Sequence, residues 1–277
     1  LNLTAVTAIM TANQYRVVVF SCSPTGLNSS AAILTVNNPV AITTQPISTS
    51  ICEGTDVTFT SAATGTGLTY QWQQSIDGGS IWTNVTGANN ASLTLTAVAI
   101  SLNNNQYRVN ATGTCTPAGI NSNVAILTVN SLVTIATHPA SNAVCAGLNM
   151  AFSVSASGTG LTHQWQESTD AGVTWSNITG ATSATLTLTA VTTSMNNYRY
   201  RAVLHGTCTV NLNSSAAILT VNTPVSITKQ PVNTSVCRGS NMSFTVTATG
   251  TTITYQWQVS INGNPFNNLT NSAPYSG

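Results

Sequence analysis

The pentapeptide TYQWQ, residues 69–73, decides the fold of this chain because it recurs at a fixed distance. It returns as THQWQ and again as TYQWQ, so that Trp72, Trp165 and Trp257 lie 93 and then 92 residues apart. Flanking segments repeat with the same period: LTLTAV at 93–98 and 186–191, and AAILTVN or VAILTVN at 31–37, 124–130 and 216–222. A period near 93 residues is too long for a solenoid unit and has the size of a small β-sandwich domain.

Alternation of apolar and polar residues within one period predicts β-strands. Val57 and Phe59 point to one side of the segment VTFTS, and Tyr107 and Val109 do the same in QYRV. Glycine-rich and asparagine-rich stretches separate these segments, as turns require. Because no segment carries a convincing helical stripe, the pattern predicts an all-β protein.

The composition excludes several classes of function. Only 4% of the 277 residues are charged and the net charge is +1, so the chain has no basic stripe for nucleic acid and no acidic surface for cations. The longest apolar stretches are short pieces such as AAILTV, far below the roughly 20 residues of a membrane span. We therefore expect no nucleic-acid partner and no membrane span.

The titratable residues form no recognisable catalytic or metal-binding pattern. The five acids and three histidines are scattered: Glu53, Asp56, Asp77, Glu167, Asp170, His138, His163 and His205. None of the acids forms a repeated dyad with a histidine, and the chain has no CxxC spacing of the kind that binds zinc. The sequence therefore predicts no catalytic site, no metal site and no cofactor.

Four segments of the repeat together resemble the immunoglobulin-like (Ig-like) sandwich. They are CEGTDVTFT as strand B, YQW as strand C with its buried tryptophan, LTLTAV as strand E, and YRV as strand F with its tyrosine. More narrowly, the chain is similar to the tandem Ig-like repeats of large secreted surface proteins in Bacteroidota. The resemblance covers the whole chain and implies tandem Ig-like β-sandwich domains in a linear array. It is specific for fold and weak for function, since such modules occur in adhesins, filaments and enzymes alike.

The resemblance also implies where the domains begin and end. Residues 38–130 and 131–222 match complete domains. Residues 1–37 match only strands E to G, and residues 223–277 match only strands A to C. Two explanations stay open: the chain is a window of a longer array, or one subunit's last segment accepts the first segment of the next subunit as a composite domain.

The tryptophans of the repeated pentapeptide are expected to lie in the core between two sheets rather than to stack on a sugar. The same expectation holds for the other large residues of the repeat: Trp72, Trp165, Trp257, Phe59, Phe152, Phe244, Tyr107 and Tyr200. The tyrosine of strand F is further expected to form the corner hydrogen bond of the Ig-like fold.

A second set of aromatic residues, Trp82 and Trp175 with Phe266 in the last repeat, is the better candidate for partial exposure. Packing is still favoured over ligand binding for these side chains. Three arginines recur beside the strand F tyrosine: Arg16, Arg108 and Arg201. We expect each to lie over a sheet face and to pair with carbonyl groups or a tyrosine ring.

Six cysteines fall into two regular classes. The class before strand B consists of Cys52, Cys145 and Cys237, and the class after strand F consists of Cys22, Cys115 and Cys208. The bridge between strands B and F of antibody domains is absent, because the matching positions hold Ser61 and Val109 in one repeat and Val154 and Ala202 in the next. Such regular cysteines without a metal-binding spacing indicate disulfide bonds and an oxidising, extracellular location.

Three pairings are open: an inter-domain bond between Cys52 and Cys208, intradomain bonds Cys52–Cys115 and Cys145–Cys208, or free thiols. In an Ig-like domain the turn between strands A and B lies at the pole where strand F begins. Cys115 lies eight residues beyond Tyr107, about 26 Å further along the strand. Since a disulfide needs Cα atoms within about 7 Å, the inter-domain bond is preferred, with partners for Cys22, Cys115, Cys145 and Cys237 in adjoining domains or chains.

We therefore predict a structural subunit of an extracellular rod or filament, or an adhesin stalk, whose partners are copies of itself. Segments such as LTVNNPVAITTQP run from one domain into the next without a Gly/Ser spacer, which favours stiff junctions. The alternative is a carbohydrate-binding Ig-like array of a secreted enzyme or adhesin that binds surface glycans.

Overall fold

The computed structural model describes residues 1–22, 24–271 and 275, and it divides them between two compact units, Leu1–Leu132 and Val133–Gly277. The secondary structure of these residues consists of short β-strands and three 3₁₀ turns, at Ala8–Met10, Ile100–Leu102 and Thr193–Met195. The all-β prediction is confirmed.

The first unit contains one short segment followed by one complete domain. The segment contributes β1 (Gln14–Tyr15), β2 (Val18–Val19), β3 (Leu27–Asn28) and β4 (Ala32–Ile33). The domain contributes β5 (Ala41–Thr44), β6 (Thr49–Cys52), β7 (Val57–Thr60), β8 (Ala62–Thr64), β9 (Thr69–Ser75), β10 (Thr83–Asn84), β11 (Ser92–Leu95), β12 (Gln106–Gly113), β13 (Thr116–Asn121) and β14 (Ala125–Asn130).

The second unit repeats the complete domain and continues into another short segment. The domain contributes β15 (Thr134–Thr137), β16 (Asn142–Cys145), β17 (Met150–Ser153), β18 (Ser155–Ser157), β19 (Thr162–Ser168), β20 (Ser176–Asn177), β21 (Thr185–Leu188), β22 (Arg199–Gly206), β23 (Thr209–Asn213) and β24 (Ala217–Asn222). The segment contributes β25 (Ser226–Lys229), β26 (Thr247–Thr249), β27 (Gln258–Val259) and β28 (Asn267–Asn268).

Each complete domain is a two-layer sandwich. In the first domain one layer has the strand order β10-β9-β12-β14-β6, with β13 also paired to β12. The pairs β5–β8 and β7–β11 supply the other strands. All pairings are antiparallel except that of β6 with β14, which is parallel. The second domain repeats this arrangement, including the parallel pair β16–β24.

The core of each domain forms around the tryptophan of the repeated pentapeptide. Trp72 and its cross-strand partner Val109 are fully buried, and the Trp72 Nε1–H donates to the carbonyl of Asn90 at 3.0 Å. In the second domain Trp165 is equally buried and donates to the carbonyl of Ser183 at 2.9 Å. The indole N–H is thus satisfied inside the core, which removes the cost of burying a polar group.

Phe59, Phe152, Tyr107 and Tyr200 are also buried, and their rings stack in pairs. The ring centroids of Phe59 and Tyr107 are 5.1 Å apart, and those of Phe152 and Tyr200 are 5.2 Å apart. The expected corner hydrogen bond is not made, because neither buried tyrosine hydroxyl has a hydrogen-bond partner among the described residues. Each ring stacks on its phenylalanine, with interplanar angles of 25° and 24°, and its hydroxyl is buried.

The last segment differs from the prediction for its two large aromatic residues. Trp257 and Phe244 were expected in a core, but they are 38% and 51% exposed. Among the described residues of this segment, the strands form two separate pairs, β25–β26 and β27–β28. The core cluster that contains Trp72 includes Leu93 of β11, Val109 of β12 and Leu127 of β14. Residues 223–271 have no counterpart of these three strands.

The first residues of each complete domain are held firmly by that domain. Val40 and Val133 are buried, and their N–H groups donate to the hydroxyls of Thr116 and Thr209 at 3.1 and 2.8 Å. A Cβ atom at Gly113 would lie 2.7 Å from Val40 Cγ2, so only glycine allows the valine to pack this closely. The start of the chain in each domain is thus fixed against the turn that follows strand F.

Candidate functional site

The cysteines before strand B lie at the end of the domain where its last strand finishes. Cys52 closes β6, and in the parallel pair it is in register with Asn130, the last residue of β14. Cys145 closes β16 and is in register with Asn222, the last residue of β24. Each of these cysteines therefore lies beside the asparagine that ends its own domain.

The cysteines after strand F lie at the opposite end of the domain. Cys115 is in the turn between β12 and β13, and its Sγ donates to the carbonyl oxygen of Asn37 at 3.4 Å. Asn37 ends an LTVN segment that recurs at 127–130, so it is the equivalent of Asn130 in the preceding repeat. The strand β12 alone is roughly 25 Å long at about 3.3 Å per residue, too long for a bond between Cys52 and Cys115.

The six cysteines differ in their oxidation state. Cys52 and Cys208 are disulfide-bonded. The other four are exposed free thiols: Cys22, Cys115, Cys145 and Cys237. The intradomain pairs Cys52–Cys115 and Cys145–Cys208 are not formed, since Cys115 and Cys145 are both free.

A second repeated feature lies on the outer face of the sheet that contains β9 and β12. The guanidinium of Arg108 lies 4.1 Å from the centroid of the Trp82 ring, and its Nε–H donates to Gln73 Oε1 at 2.9 Å. In the second domain Arg201 lies 4.2 Å from the centroid of Trp175. These arginines cover tryptophan rings, whereas the sequence suggested carbonyl groups or a tyrosine ring.

The amide side chains around this arginine are already paired with one another. Gln73 Nε2 donates to Asn84 Oδ1 at 3.0 Å, and Asn110 Nδ2 donates to Asn121 Oδ1 at 2.8 Å. Burial lowers the pKa of Arg108, but a guanidinium with so high an ordinary pKa keeps its charge at neutral pH. The amide side chains on this face therefore bond to one another. In each domain the face carries one aromatic ring, which an arginine covers.

One aspartate in each complete domain, Asp77 or Asp170, accepts the hydrogen bonds of a turn. Asp170 accepts hydrogen bonds from the Thr174 N–H at 2.9 Å and from the Ser168 hydroxyl at 2.7 Å. Donation from the Thr174 hydroxyl and N–H, followed by that from Ser168, holds the pKa of this carboxyl well below its ordinary value of 3.8. Asp77 occupies the same position in the first domain, and its pKa is lowered mainly by the Ile81 N–H. Within the described residues, no three His, Cys, Asp or Glu side chains are grouped to hold a metal ion.

The last segment presents an open apolar surface. A cavity of about 320 Å³ on it is lined by eleven residues, among them Val225, Ile227, Val246, Tyr255 and Trp257. The first segment of the chain is equally uncovered, as shown by large apolar residues that are well exposed: Leu1, Val6, Val17, Leu27 and Ile33. These two surfaces are the main exposed apolar regions in the described part of the chain.

The sequence identified the cysteines and the aromatic residues. It did not reveal the asparagines beside the cysteines or the glutamine that binds the arginine. Asn37, Asn130 and Asn222 end the LTVN segment of successive repeats, and this recurring segment was the available signal. The glutamine that fixes Arg108 was also missed, although Gln73 recurs as Gln166 in the repeated pentapeptide. No helix in the described residues has the length and apolar character needed to cross a membrane.

One family model, described as a domain of unknown function (DUF8696), matches residues 41–131 and again residues 134–223. No curated protein matches the sequence.

Solved structures with a similar fold include two fragments of titin that contain domains I67–I69. The E-to-A variant has 18% identity and a TM-score of 0.54, covering 86% of this chain and 84% of the fragment. The I-band fragment has 18% identity and a TM-score of 0.52, covering 82% and 86%. The D1–D2 fragment of Rst has 14% identity and a TM-score of 0.50, covering 66% and 99%. At these identities the similarity shows the fold alone, which is that of tandem Ig-like domains.

Proposed function

The chain belongs to the DUF8696 family, and we propose that it is a structural subunit of an extracellular rod or filament, or of an adhesin stalk. Its tandem Ig-like domains and its disulfide are the features on which a structural role rests. The narrower likeness to surface proteins of Bacteroidota belongs to the same proposal. We assign the chain no catalytic role.

The observation that carries the proposal is that each cysteine class lies beside an asparagine at the end of an LTVN segment. Cys52 lies beside Asn130 at the end of its own domain. Cys115 contacts Asn37, the asparagine that precedes its domain, and Cys208 is the equivalent of Cys115 in the following domain. From this repeat relation we infer that Cys208 lies beside Asn130 as well. We therefore propose that the disulfide joins Cys52 to Cys208 across the junction of two domains.

Short junctions support the same role. The strand β14 ends at Asn130, and Val133 is already buried in the core of the second domain. Only residues 131 and 132 separate the two. A two-residue connection without glycine leaves few backbone torsions free, so that a disulfide beside it would leave the junction stiff.

The disulfide also supports the proposed location. Disulfide bonds persist in oxidising compartments and are rare in the cytosol, which fits a secreted protein. Copies of the chain are the proposed partners, because its domains are repeats of one family that follow one another directly along the chain.

The proposal is tested on the full chain by peptide mapping without reductant and by electron microscopy. Mapping is expected to recover a peptide pair that links Cys52 to Cys208. Microscopy is expected to show elongated particles that become shorter and more bent after reduction. Recovery of a Cys52–Cys115 peptide, or compact particles in both conditions, would contradict the structural role.

A carbohydrate-binding array is the second candidate, because the same outer face carries an aromatic ring in both domains. Trp82 and Trp175 are half-buried and have polar amides nearby. Each ring is covered on one side by an arginine, and the nearby amides are paired with one another, so this face offers few free groups to a sugar. Glycan-array binding that is lost in Trp82→Ala and Trp175→Ala together would favour this function.

A further inference from the structure

We propose that His138 makes the packing of the first strands in the second complete domain sensitive to pH. The neutral imidazole of His138 accepts a hydrogen bond that fixes the chain where it passes from one sheet to the other. Protonation removes this acceptor and releases the chain at that point. The first domain has Gln45 at the same position, so its bond does not depend on pH. This inference is independent of the proposed function.

The first strands of each domain pass from one layer of the sandwich to the other. In the first domain β5 pairs with β8, and β6 pairs with β14 in the layer that contains β9. Residues 45–48 connect β5 to β6, and residues 138–141 connect β15 to β16. We call each of these segments the crossover. Its second residue is Pro46 or Pro139, which has no N–H group to continue a ladder, so side chains supply bonds that hold the crossover.

Two side chains of the crossover accept N–H groups from the segment that leads into and begins the last strand. In the first domain Gln45 Oε1 accepts the Asn123 N–H at 2.8 Å. Ser48 Oγ accepts the Ile126 N–H at 2.9 Å. These bonds extend the parallel pairing of β6 with β14 back to the crossover.

The second domain makes the same two bonds with one change of chemistry. Ser141 Oγ accepts the Ile218 N–H at 2.9 Å, and His138 Nδ1 accepts the Ser215 N–H at 3.0 Å. An imidazole nitrogen accepts a hydrogen bond only while it carries no proton, whereas an amide oxygen accepts at any ordinary pH. The crossover of the second domain is therefore held by the neutral form of His138.

The donor of this bond is fixed in place by the core. Ser214 is buried, and its Oγ accepts the Ala202 N–H at 2.9 Å and donates to the Ser215 carbonyl at 2.9 Å. Ala202 is itself fully buried in β22. The Ser215 N–H therefore keeps its direction when His138 gains a proton. Two donors then face each other, and the bond is replaced by repulsion.

The strands that adjoin the crossover offer no carboxylate that would pair with a protonated His138. Within the described residues, β15, β18, β23 and β24 contain no titratable side chain, and β16 contains only Cys145, at its far end. The two carboxylates of the domain, Glu167 and Asp170, belong to β19 and the turn after it. Two strands, β24 and β22, lie between β16 and β19 in the sheet.

The arginines of the domain are directed elsewhere. Both are on β22, which β24 separates from β16 in the sheet. Arg201 covers an aromatic ring on the outer face, and a Cβ atom at Gly172, in the turn after β19, would lie 3.4 Å from Arg199 Nη1. Of the other titratable groups on β22, Tyr200 is buried in the core and His205 lies near the far end of the strand.

The direction of the pH effect follows from linkage. The bond favours neutral imidazole in the folded domain, so the folded state binds fewer protons at this position than the unfolded state does. The bond is complete at the upper end of the range in which imidazoles titrate, about pH 8 to pH 5, and is lost as the pH falls through that range.

The test measures solvent exchange of single backbone amides in the full chain by NMR. Protection factors, which correct for the effect of pH on the chemical exchange rate, are compared for Ser215 and Asn123 at about pH 7.5 and about pH 5. The protection of Ser215 should fall by about fivefold, the worth of one ordinary hydrogen bond, and that of Asn123 should not change. Equal protection of Ser215 at both pH values would overturn the proposal.

Exchanging the two acceptors supplies matched variants. His138→Gln should keep Ser215 protected at the lower pH, and Gln45→His should transfer the pH dependence to Asn123. If Ser215 in His138→Gln still loses protection, His138 is not the cause and the proposal fails.

A further variant isolates His138 from the other two histidines of the chain. His163→Tyr with His205→Thr introduces the residues found at the equivalent positions of the first domain, Tyr70 and Thr112. The fall at Ser215 should persist, and its disappearance would assign the effect to another histidine. The ring-nitrogen shifts of His138 in this variant should show an unprotonated Nδ1 and a protonated Nε2 at about pH 7.5. The opposite tautomer would overturn the inference.

Discussion

Replacing Tyr107 by phenylalanine is expected to stabilise the first domain. The Tyr107 ring is fully buried and stacks on Phe59, but its hydroxyl has no hydrogen-bond partner among the described residues. A buried hydroxyl without a partner costs about 1–3 kcal/mol. Phenylalanine keeps the ring in place and removes that cost, so we expect a gain of about 1 kcal/mol in the free energy of unfolding.

The assay is urea unfolding of the full chain under reducing conditions, followed by tryptophan fluorescence. For a small domain the dependence on urea is about 1 kcal/mol per molar, so the midpoint of the first domain should rise by about 1 M. Tyr70→Phe is the matched control. The Tyr70 hydroxyl accepts a hydrogen bond from the Ala63 N–H at 3.0 Å, and its removal should instead lower stability by about 1 kcal/mol.

The same substitution has a consequence at high pH. Burial raises the pKa of Tyr107 above its ordinary value of 10.0, and this effect outweighs the opposite effect of the nearby Asn105 side chain. A group whose pKa is raised by folding contributes stability that is complete below its unfolded pKa, here about 10, and is lost as the pH rises toward the folded pKa. The difference between the variant and the parent should therefore widen above pH 10. A loss of 1 kcal/mol or more at pH 7 would refute the argument and would indicate a corner hydrogen bond.

Three further predictions concern the repeated surface features. Arg108→Met should lower the free energy of unfolding by about 0.5–1 kcal/mol through loss of the cation–π contact. A double-mutant cycle with Trp82→Leu should show this coupling, and additive effects of the two substitutions would contradict it. Because the pKa of Asp170 is lowered on folding, its contribution to stability is complete above about pH 4 and is lost as the pH falls below that. Asp170→Asn should therefore flatten the fall of the melting temperature between pH 6 and pH 2. An unchanged fall would disprove this. Gly113→Ala should cost about 1–3 kcal/mol, since the new methyl group would lie 2.7 Å from Val40 Cγ2, and thermal unfolding at parent stability would exclude that clash.

Much of the fold could be predicted from the sequence because the burial pattern is local. The alternation in VTFTS and QYRV placed Phe59, Tyr107 and Val109 inside, and all three are buried. The repeat distance identified Trp72 and Trp165 as equivalents. Trp257 shares that sequence context but is exposed, because burial depends on strands that its own segment does not contain.

The details that escaped prediction depend on contacts between distant residues. The Arg108 side chain meets Trp82 because the turn after β9 folds back over the sheet, and no local pattern encodes that approach. The missing hydrogen bond of Tyr107 depends on where backbone carbonyls lie near the hydroxyl. The relation between Cys52 and Asn130 depends on the register of a parallel pair whose members are almost 80 residues apart.

The parallel pairing of the second and last strands of each domain has a mechanical consequence. In the first domain four consecutive residues of β6, from Thr49 to Cys52, are in register with Leu127 to Asn130 of β14. Tension applied to the two ends of the domain would pull these neighbouring strands lengthwise in opposite directions. The hydrogen bonds between them would then be loaded in shear and would have to break together, so that each domain should yield abruptly at a high force instead of unravelling gradually.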